Sequence, residues 1–340
     1  TDVKVLNSDK GLGDLNLFVD EDGEAYLIYN SIAGHFVSVE KLKDDYLSST
    51  LENSGIVAKD CEAETMFKRN GKYYLLTDQA CCFCNYGTGA RVFTADFPLG
   101  KFEEKGNINR YPGRMNTGLI DNIKKGNVFE TLNGDSTRFD QVEINLPAKQ
   151  SFEDISIYVF TGNRPENCGD VNIPKVHPDF IDPAFDFYLA EGSGWKKAEP
   201  VKRRVDTAAI QRIMTFRFAA GIADKIRVAP KPDYPYTNIY IAEIEVLQQG
   251  KNVAFVGNGT KAYVLGAEKP MAIVPAQQTY VMPLETEKGT DYIWMGDLWG
   301  SAPDNNKAHD NQYWAPLEFD EAGNILPMKW ADSWNCTLKK

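Results

Sequence analysis

Asp14 stands nine residues before Gly23, and Glu62 stands nine residues before Gly71. Each carboxylate opens a run that reads strand, turn, strand: DLNLFVDEDGEAYLIYNS at 14–31 and EAETMFKRNGKYYLLTDQ at 62–79, with the turn glycines 48 positions apart. Two acids in one slot of two repeated units can do acid–base chemistry if the units bring them to a common cavity. One carboxyl is then held protonated to donate to a leaving oxygen, and the like charge beside it raises its pKa. The same residues also suit solvated strand ends, and the spacing leaves both readings open. Gln277 and Gln278 occupy the matching strand start of a third unit, which continues as TYVMPLETEKGTDYIWMGD at 279–297. Aromatic residues gather downstream at Trp294, Trp299, Tyr313 and Trp314. Such rings stack on the apolar faces of sugars or pack between sheets, and core packing suits Trp294 better than Trp299. Asp297 is placed either to hydrogen-bond sugar hydroxyls or to cap a turn.

The elements that must position these residues are strands. Short alternating β-branched and aromatic runs, punctuated by Gly, Asp and Asn, dominate the sequence, and TAAIQRIMTFRF at 207–218 is the most ambiguous stretch. A hairpin-like unit at 313–330, YWAPLEFDEAGNILPMKW, follows the third. Strand–turn–strand units at a period of about 40–50 residues predict a β-propeller, whose blades are four-stranded sheets around an axis. A plain all-β sandwich with chance similarity between hairpins is the alternative. In a propeller, equivalent innermost positions of successive blades face one another across the central cavity. The repeat stops after Arg110 and resumes near Gln277. Between them stand FDQVEINL (139–146), DISIYVFTG (154–162), FDFYLAEGSGWKK (185–197), MTFRF (214–218), DKIRVAP (224–230) and IYIAEIEVL (239–247), enough strands for an inserted sandwich. The expected division is 1–115 propeller blades, 116–270 inserted sandwich and 271–340 further blades.

These motifs resemble glycoside hydrolase family 43, the five-bladed-propeller family of inverting enzymes. DLNLFVDEDGEAYLIY with HFVSVEKLKDDYL (35–47) is similar to the family's aspartate-bearing blade, and CEAETMFKRNGKYYLLT (61–77) to the blade that carries its catalytic acid. PAQQTYVMPL (275–284), YIWMGDLWGSAPD (292–304) and HDNQYWAPLEFDEAGNI (309–325) resemble the last blades, most of all in the exo-β-1,3-galactanase branch. The resemblance implies Glu62 as general acid, Asp14 as the residue that tunes and orients it, and Gln277 as the pocket glutamine of that branch. Gln278, Asp297, Trp299, Tyr313 and Trp314 are the expected substrate contacts. The implied activity is inverting hydrolysis of O-glycosidic bonds in plant-type polysaccharide such as β-1,3-galactan or arabinogalactan side chains. Other family 43 specificities (α-L-arabinofuranosidase, β-xylosidase) and a non-catalytic carbohydrate-binding propeller are the alternatives.

Where the family has proline after its acid motif, this chain has Glu64, and Leu298 replaces the usual arginine of MGDRW. The family's first two blades have no counterpart here, and upstream residues of the same polypeptide are expected to supply them. The inserted segment resembles a discoidin-type, galactose-binding-like jelly roll, either a sugar-binding module, with Tyr234 and Tyr236 its best sugar-contact candidates, or a structural spacer. No cofactor is required by this reading. A histidine can sit beside calcium in family 43, and His309 is the plausible match, with a hydrogen-bonded pocket histidine as the plainer alternative.

Composition narrows the partners. The 340 residues carry a net charge of −11, which disfavours nucleic acid and anionic membranes and raises no objection to a neutral sugar. No apolar run approaches the roughly 20 residues that span a bilayer. The expected location is extracytoplasmic, secreted or periplasmic. The six cysteines are too few for a disulfide scaffold, and the Cys81–Cys84 pair lacks the second pair of a zinc ribbon. GLGDLN at 11–16 lacks the last glycine of a dinucleotide loop and leads into a strand, so that reading is rejected.

Overall fold

The computed structural model describes residues 11–79, 89–111, 114–124, 130–135, 138–161, 179–208, 211–235, 238–266, 272–274, 276–298, 308 and 310–339. It is all-β; no α-helix occurs among the described residues. The chain divides into two compact units, the first formed by 1–110, 276–298 and 311–340, the second by 111–275 and 299–310.

The first unit holds three antiparallel meanders. Strands β1 (Leu12–Val19), β2 (Ala25–Ser31), β3 (Val37–Leu42) and β4 (Ser49–Asn53) form one sheet in that order. Strands β5 (Cys61–Arg69), β6 (Lys72–Gln79), β7 (Arg91–Ala95) and β8 (Glu103–Asn107) form a second in the same manner. The reason is local: Gly23 and Gly71 take φ of +88° and +75°, left-handed values that glycine adopts without strain, and each closes a tight hairpin. The first two sheets share a core of Tyr26, Ile28, Val37, Val39, Met66, Leu75 and Phe93. An ion pair between Lys68 and Asp20 at 2.8 Å, joined by the Tyr73 hydroxyl, links the sheets at their edge. Leu15, Leu17 and Val19 leave the other face of β1 exposed.

After the second unit, β19 (Gln277–Thr286), β20 (Gly289–Leu298) and β21 (Asn311–Pro316) make a three-stranded sheet, here numbered after the strands of the second unit. Tyr292 packs against Phe67 at 4.8 Å and donates its hydroxyl to Lys68 O. The stretch 313–330 is not a hairpin of its own. Its first part is β21, paired with β20, and the remainder holds only the bridge of Phe319 with Ile325. Pro316 ends the strand, and the 320–323 turn serves a loop whose Gly323 O accepts from Tyr74.

In the second unit, β9 (Glu130–Asp135), β10 (Arg138–Phe139), β11 (Gln141–Phe160), β12 (Phe185–Glu191), β13 (Gly194–Ala198), β14 (Lys202–Ala208), β15 (Gln211–Pro230), β16 (Asn238–Gln248), β17 (Lys251–Asn252) and β18 (Lys261–Leu265) form one ten-stranded sheet. The runs 139–146 and 154–162 lie on one bent strand, β11, apart from their outermost residues. Likewise 214–218 and 224–230 are halves of β15. Register shifts at Asn145–Gln150 and Phe152–Asp154 make the bend. The sheet therefore curls over one core, in which Val142 and Ile144 from one half of β11 join Ile155 and Ile157 from the other. The segment that enters this unit is zipped to the one that leaves it. Met115 bridges Tyr263, Asn116 N donates to Ala262 O, and Val264 N donates to Arg114 O.

Candidate functional site

Three strands of the first unit, β1, β5 and β19, are each the first strand of their meander, and β5 packs beside both of the others. All three are irregular at their beginnings. Pairing register shifts between Leu12 and Leu15 in β1, between Glu62 and Thr65 in β5, and between Gln278 and Tyr280 in β19. Such bulges re-aim side chains that a regular pleat would send to alternate faces. The sequence pattern gave no warning of them.

The bulges bring Asp14, Glu62, Gln277 and Gln278 together around the backbone of Ala63. Asp14 Oδ2 accepts from Ala63 N at 3.0 Å, and Gln278 Nε2 donates to Ala63 O at 3.0 Å. Gln277 Nε2 donates to Glu62 Oε1 at 3.2 Å. Ala63 itself sits at φ +52°, a left-handed conformation that costs an L-residue about 1–2 kcal/mol and persists only where surroundings enforce it. Here the enforcing groups are the carboxylate and the amide that hold its N–H and C=O.

Histidine enters from the loop after β2. His35 Nδ1 lies 3.9 Å from Glu62 Oε2 and 3.4 Å from Asn30 Nδ2. Protonated, His35 pairs with the Glu62 carboxylate; neutral, its Nδ1 accepts from Asn30. Asn30 presses so close to β1 that a Cβ at Gly13 would meet its side-chain oxygen at 2.5 Å, which accounts for glycine there. Neither Asn30 nor His35 was a sequence candidate; the signal available was His35 at the head of the HFVSVEKLKDDYL segment.

Glu64, noted in the sequence only as the residue in place of the family's proline, adds a further carboxyl to the site. It is 2% exposed, and no side chain among the described residues hydrogen-bonds its carboxyl. Burial pushes its pKa up to about 8 against the pull of the peptide N–H groups of Glu64 and Asn30, with the charges of Asp14 and Glu62 adding to the rise. At neutral pH it is an uncharged acid behind the Glu62–Ala63 bulge.

The other expected residues differ in their surroundings. Gln278 is fully buried, with Trp294 Nε1 donating to its Oε1 at 3.1 Å, so it clamps the bulge from inside. Tyr313 is buried too; its ring stacks on Trp330 at 4.5 Å and its hydroxyl accepts from Ala331 N. Asp297 accepts from Gln312 across the β20–β21 pair. Trp314 is 44% exposed on β21 and free to meet a ligand. Trp299, His309 and Tyr236 lie outside the described residues. Among the described residues no cluster of three His, Cys, Asp or Glu groups has the arrangement of a metal site. Farther along the same three strands runs a groove of about 470 Å³, lined in part by Leu17, Val19, Met66, Tyr280, Pro283 and Tyr292.

This arrangement places one buried carboxyl, Glu62, within reach of an amide donor and an imidazole, beside a second carboxylate that is exposed. Such a set can hold and deliver a proton to an oxygen presented from solvent. No protein-family model and no curated protein matches the chain. Solved structures similar to it are glycoside hydrolases. A GH43 β-1,3-galactosidase with galactodeoxynojirimycin is 17% identical, with 95% of this chain and 47% of that one covered at a TM-score of 0.40. An exo-β-1,3-galactanase from Clostridium thermocellum is 13% identical, with 93% and 33% covered at 0.37. An α-L-arabinofuranosidase from the same organism is 30% identical over 28% of this chain and 32% of its own, at 0.24. The chain thus spans less than half the length of these proteins.

Proposed function

We propose that the chain is part of an inverting glycoside hydrolase, with Glu62 as the general acid. The observation that carries this reading is the convergence of Asp14, Glu62 and Gln277, each at the start of the first strand of its meander, onto one bulge. Glu62 protonates the departing glycosidic oxygen as the C–O bond breaks, while a water attacks the anomeric carbon from the opposite face. Asp14 fixes the bulge through Ala63 N and places a like charge near the acid. Gln277 holds the Glu62 carboxyl through Oε1, and His35 faces its Oε2 at 3.9 Å. The residue that activates the water belongs to the opposite wall of the site, and in an inverting enzyme it stands about 6.5–9.5 Å from the acid.

The substrate class is a neutral plant-type polysaccharide, β-1,3-galactan or the side chains of arabinogalactan, with Trp314 as a stacking platform at the rim. The first unit contributes three blades of a five-bladed propeller, and further residues of the same extracytoplasmic polypeptide complete the ring. The exposed apolar side chains Leu15, Leu17 and Val19 on β1 support this, since they suit cover by another sheet. The second unit is read as a galactose-binding-like jelly roll.

Hydrolysis tests the proposal. The full-length protein and its Glu62→Gln variant are assayed on β-1,3-galactan, arabinogalactan and aryl galactosides, arabinofuranosides and xylosides, with binding measured alongside. Product from wild type, at least 1,000-fold less from the variant (about 4 kcal/mol of barrier) and equal binding by both is the expected result. Binding by both with turnover by neither favours a sugar-binding propeller instead.

A further inference from the structure

The outer face of the curled sheet in the second unit is built as polar rungs. Lys202, Arg217, Asp154 and Leu247 are register partners across β14, β15, β11 and β16, and the next rung in phase is Arg204, Thr215, Ser156 and Glu245. Successive side chains of a strand alternate faces, so the residues between these, Phe216, Ile155 and Val246, point into the core. A trough of about 230 Å³ lies on the polar side, lined by Asp154, Ser156, Lys202, Arg204, Thr215, Arg217 and Leu247. That is smaller than the roughly 300–1,000 Å³ of drug-sized pockets and fits a single small ring.

Three cations face one carboxylate in this trough, on a chain whose net charge is −11. Asp154 takes the Nε and Nη2 edge of Arg217 at 2.8 and 2.6 Å, which fixes the guanidinium plane and leaves Nη1 turned away from that pair. Arg204 pairs through Nε with Asp206 at 2.9 Å, and its side chain lines the trough. Lys202 has no acidic partner among the described residues. Between the cations lies the hydroxyl pair Ser156–Thr215 at 3.0 Å, and Leu247 supplies an apolar edge. Fixed guanidinium groups recognise oxyanions by planar, charge-assisted hydrogen bonds. Hydroxyls beside an apolar edge suit the hydroxyl-bearing, C–H-faced body of a pyranose.

We propose that this trough binds a uronic acid residue, with its carboxylate between Lys202, Arg204 and Arg217 and its hydroxyls on Ser156 and Thr215. The site is independent of the carboxyl cluster of the first unit. It would give a protein directed at neutral polysaccharide a foothold on acidic decorations.

Titration of the full chain with methyl glucuronide, methyl galactoside and sodium sulfate, by calorimetry at low and moderate salt, tests it. Saturable millimolar binding of the glucuronide is expected, weakened by salt, with none of the galactoside and at least tenfold weaker binding of sulfate. Lys202→Ala with Arg204→Ala, both at exposed positions, should weaken glucuronide binding at least tenfold with an unchanged melting temperature. Thr215→Val should weaken glucuronide binding and leave sulfate unaffected. Absence of saturable binding overturns the proposal, as does affinity unchanged in the double variant or equal affinity for sulfate, which would mark a generic anion surface.

Discussion

Glu64 offers a direct test of the electrostatics around the bulge, by replacement with glutamine of nearly the same shape. Its carboxyl has an ordinary pKa of 4.5 when unfolded and about 8 in the folded protein. Because the folded value is the higher one, the native state holds the proton more tightly, and the stabilisation is fully present below pH 4.5. It is lost as pH rises through the window between 4.5 and about 8, where the unfolded chain gives up the proton first. At 1.36 kcal/mol per unit, the difference of about 3.5 units amounts to on the order of 5 kcal/mol across that window. Glu64→Gln removes the titrating proton and leaves a neutral amide of similar size. Urea unfolding of the first unit's transition at pH 5, 6, 7 and 8 should show the wild type losing ground to the variant at somewhat over 1 kcal/mol per pH unit. By pH 8 the variant should be the more stable protein by several kcal/mol. Parallel curves for the two proteins, or a variant less stable at pH 8, would refute the assignment of Glu64 as a buried neutral acid.

Other substitutions probe the frame of the site. Ala63→Gly should raise stability by up to about 1 kcal/mol by relieving the left-handed strain at this residue, and Ala63→Val should lower it by more than that; thermal melts of both decide the point. Gln278→Leu deletes the amide that Ala63 O and Trp294 Nε1 share and leaves two buried polar groups unpaired, so a loss of about 2–4 kcal/mol is expected in urea titration, with a change in tryptophan fluorescence. Asp20→Asn should lower stability at neutral pH, measured by urea titration, since it removes the 2.8 Å ion pair and leaves Lys68 the longer 3.4 Å contact with Glu21. Burial works against the charged form of Asp20, but hydrogen bonds from Lys68, Tyr73 and Glu21 N outweigh it and hold the pKa below its ordinary 3.8. The advantage of wild type over this variant is therefore complete above pH 3.8 and should vanish as pH falls through the lowered native value.

The hairpins of the first unit were legible because their turns carry glycine where φ must be positive and their strands alternate on either side. The equal offset of Asp14 and Glu62 from those glycines then placed both acids at one end of neighbouring strands, and the structure bonds Asp14 to the N–H of Ala63, the residue next to Glu62. What the pattern hid was the bulge. One extra residue in a ladder leaves no compositional mark, yet it decides that Glu62 meets Gln277 while Glu64, two positions on, sinks into a dry environment. Gln278 and Tyr313 were expected to touch a ligand because polar and aromatic residues gather near the acids; burial between packed sheets instead uses their hydrogen bonds for support. The second unit's long bent strands were read as separate short ones because the residues at each bend, Pro147 to Gln150 and Ala219 to Ile222, interrupt the alternation without ending the pairing.

The zipped stem at Met115 and Tyr263 has an evolutionary reading. A module whose entry and exit are already neighbours can be gained, lost or exchanged by joining two nearby ends with a short turn, and the host sheet on either side needs no redesign. Residues 111–275 thus have the paired ends of a cassette, one that hosts of this kind can exchange whole.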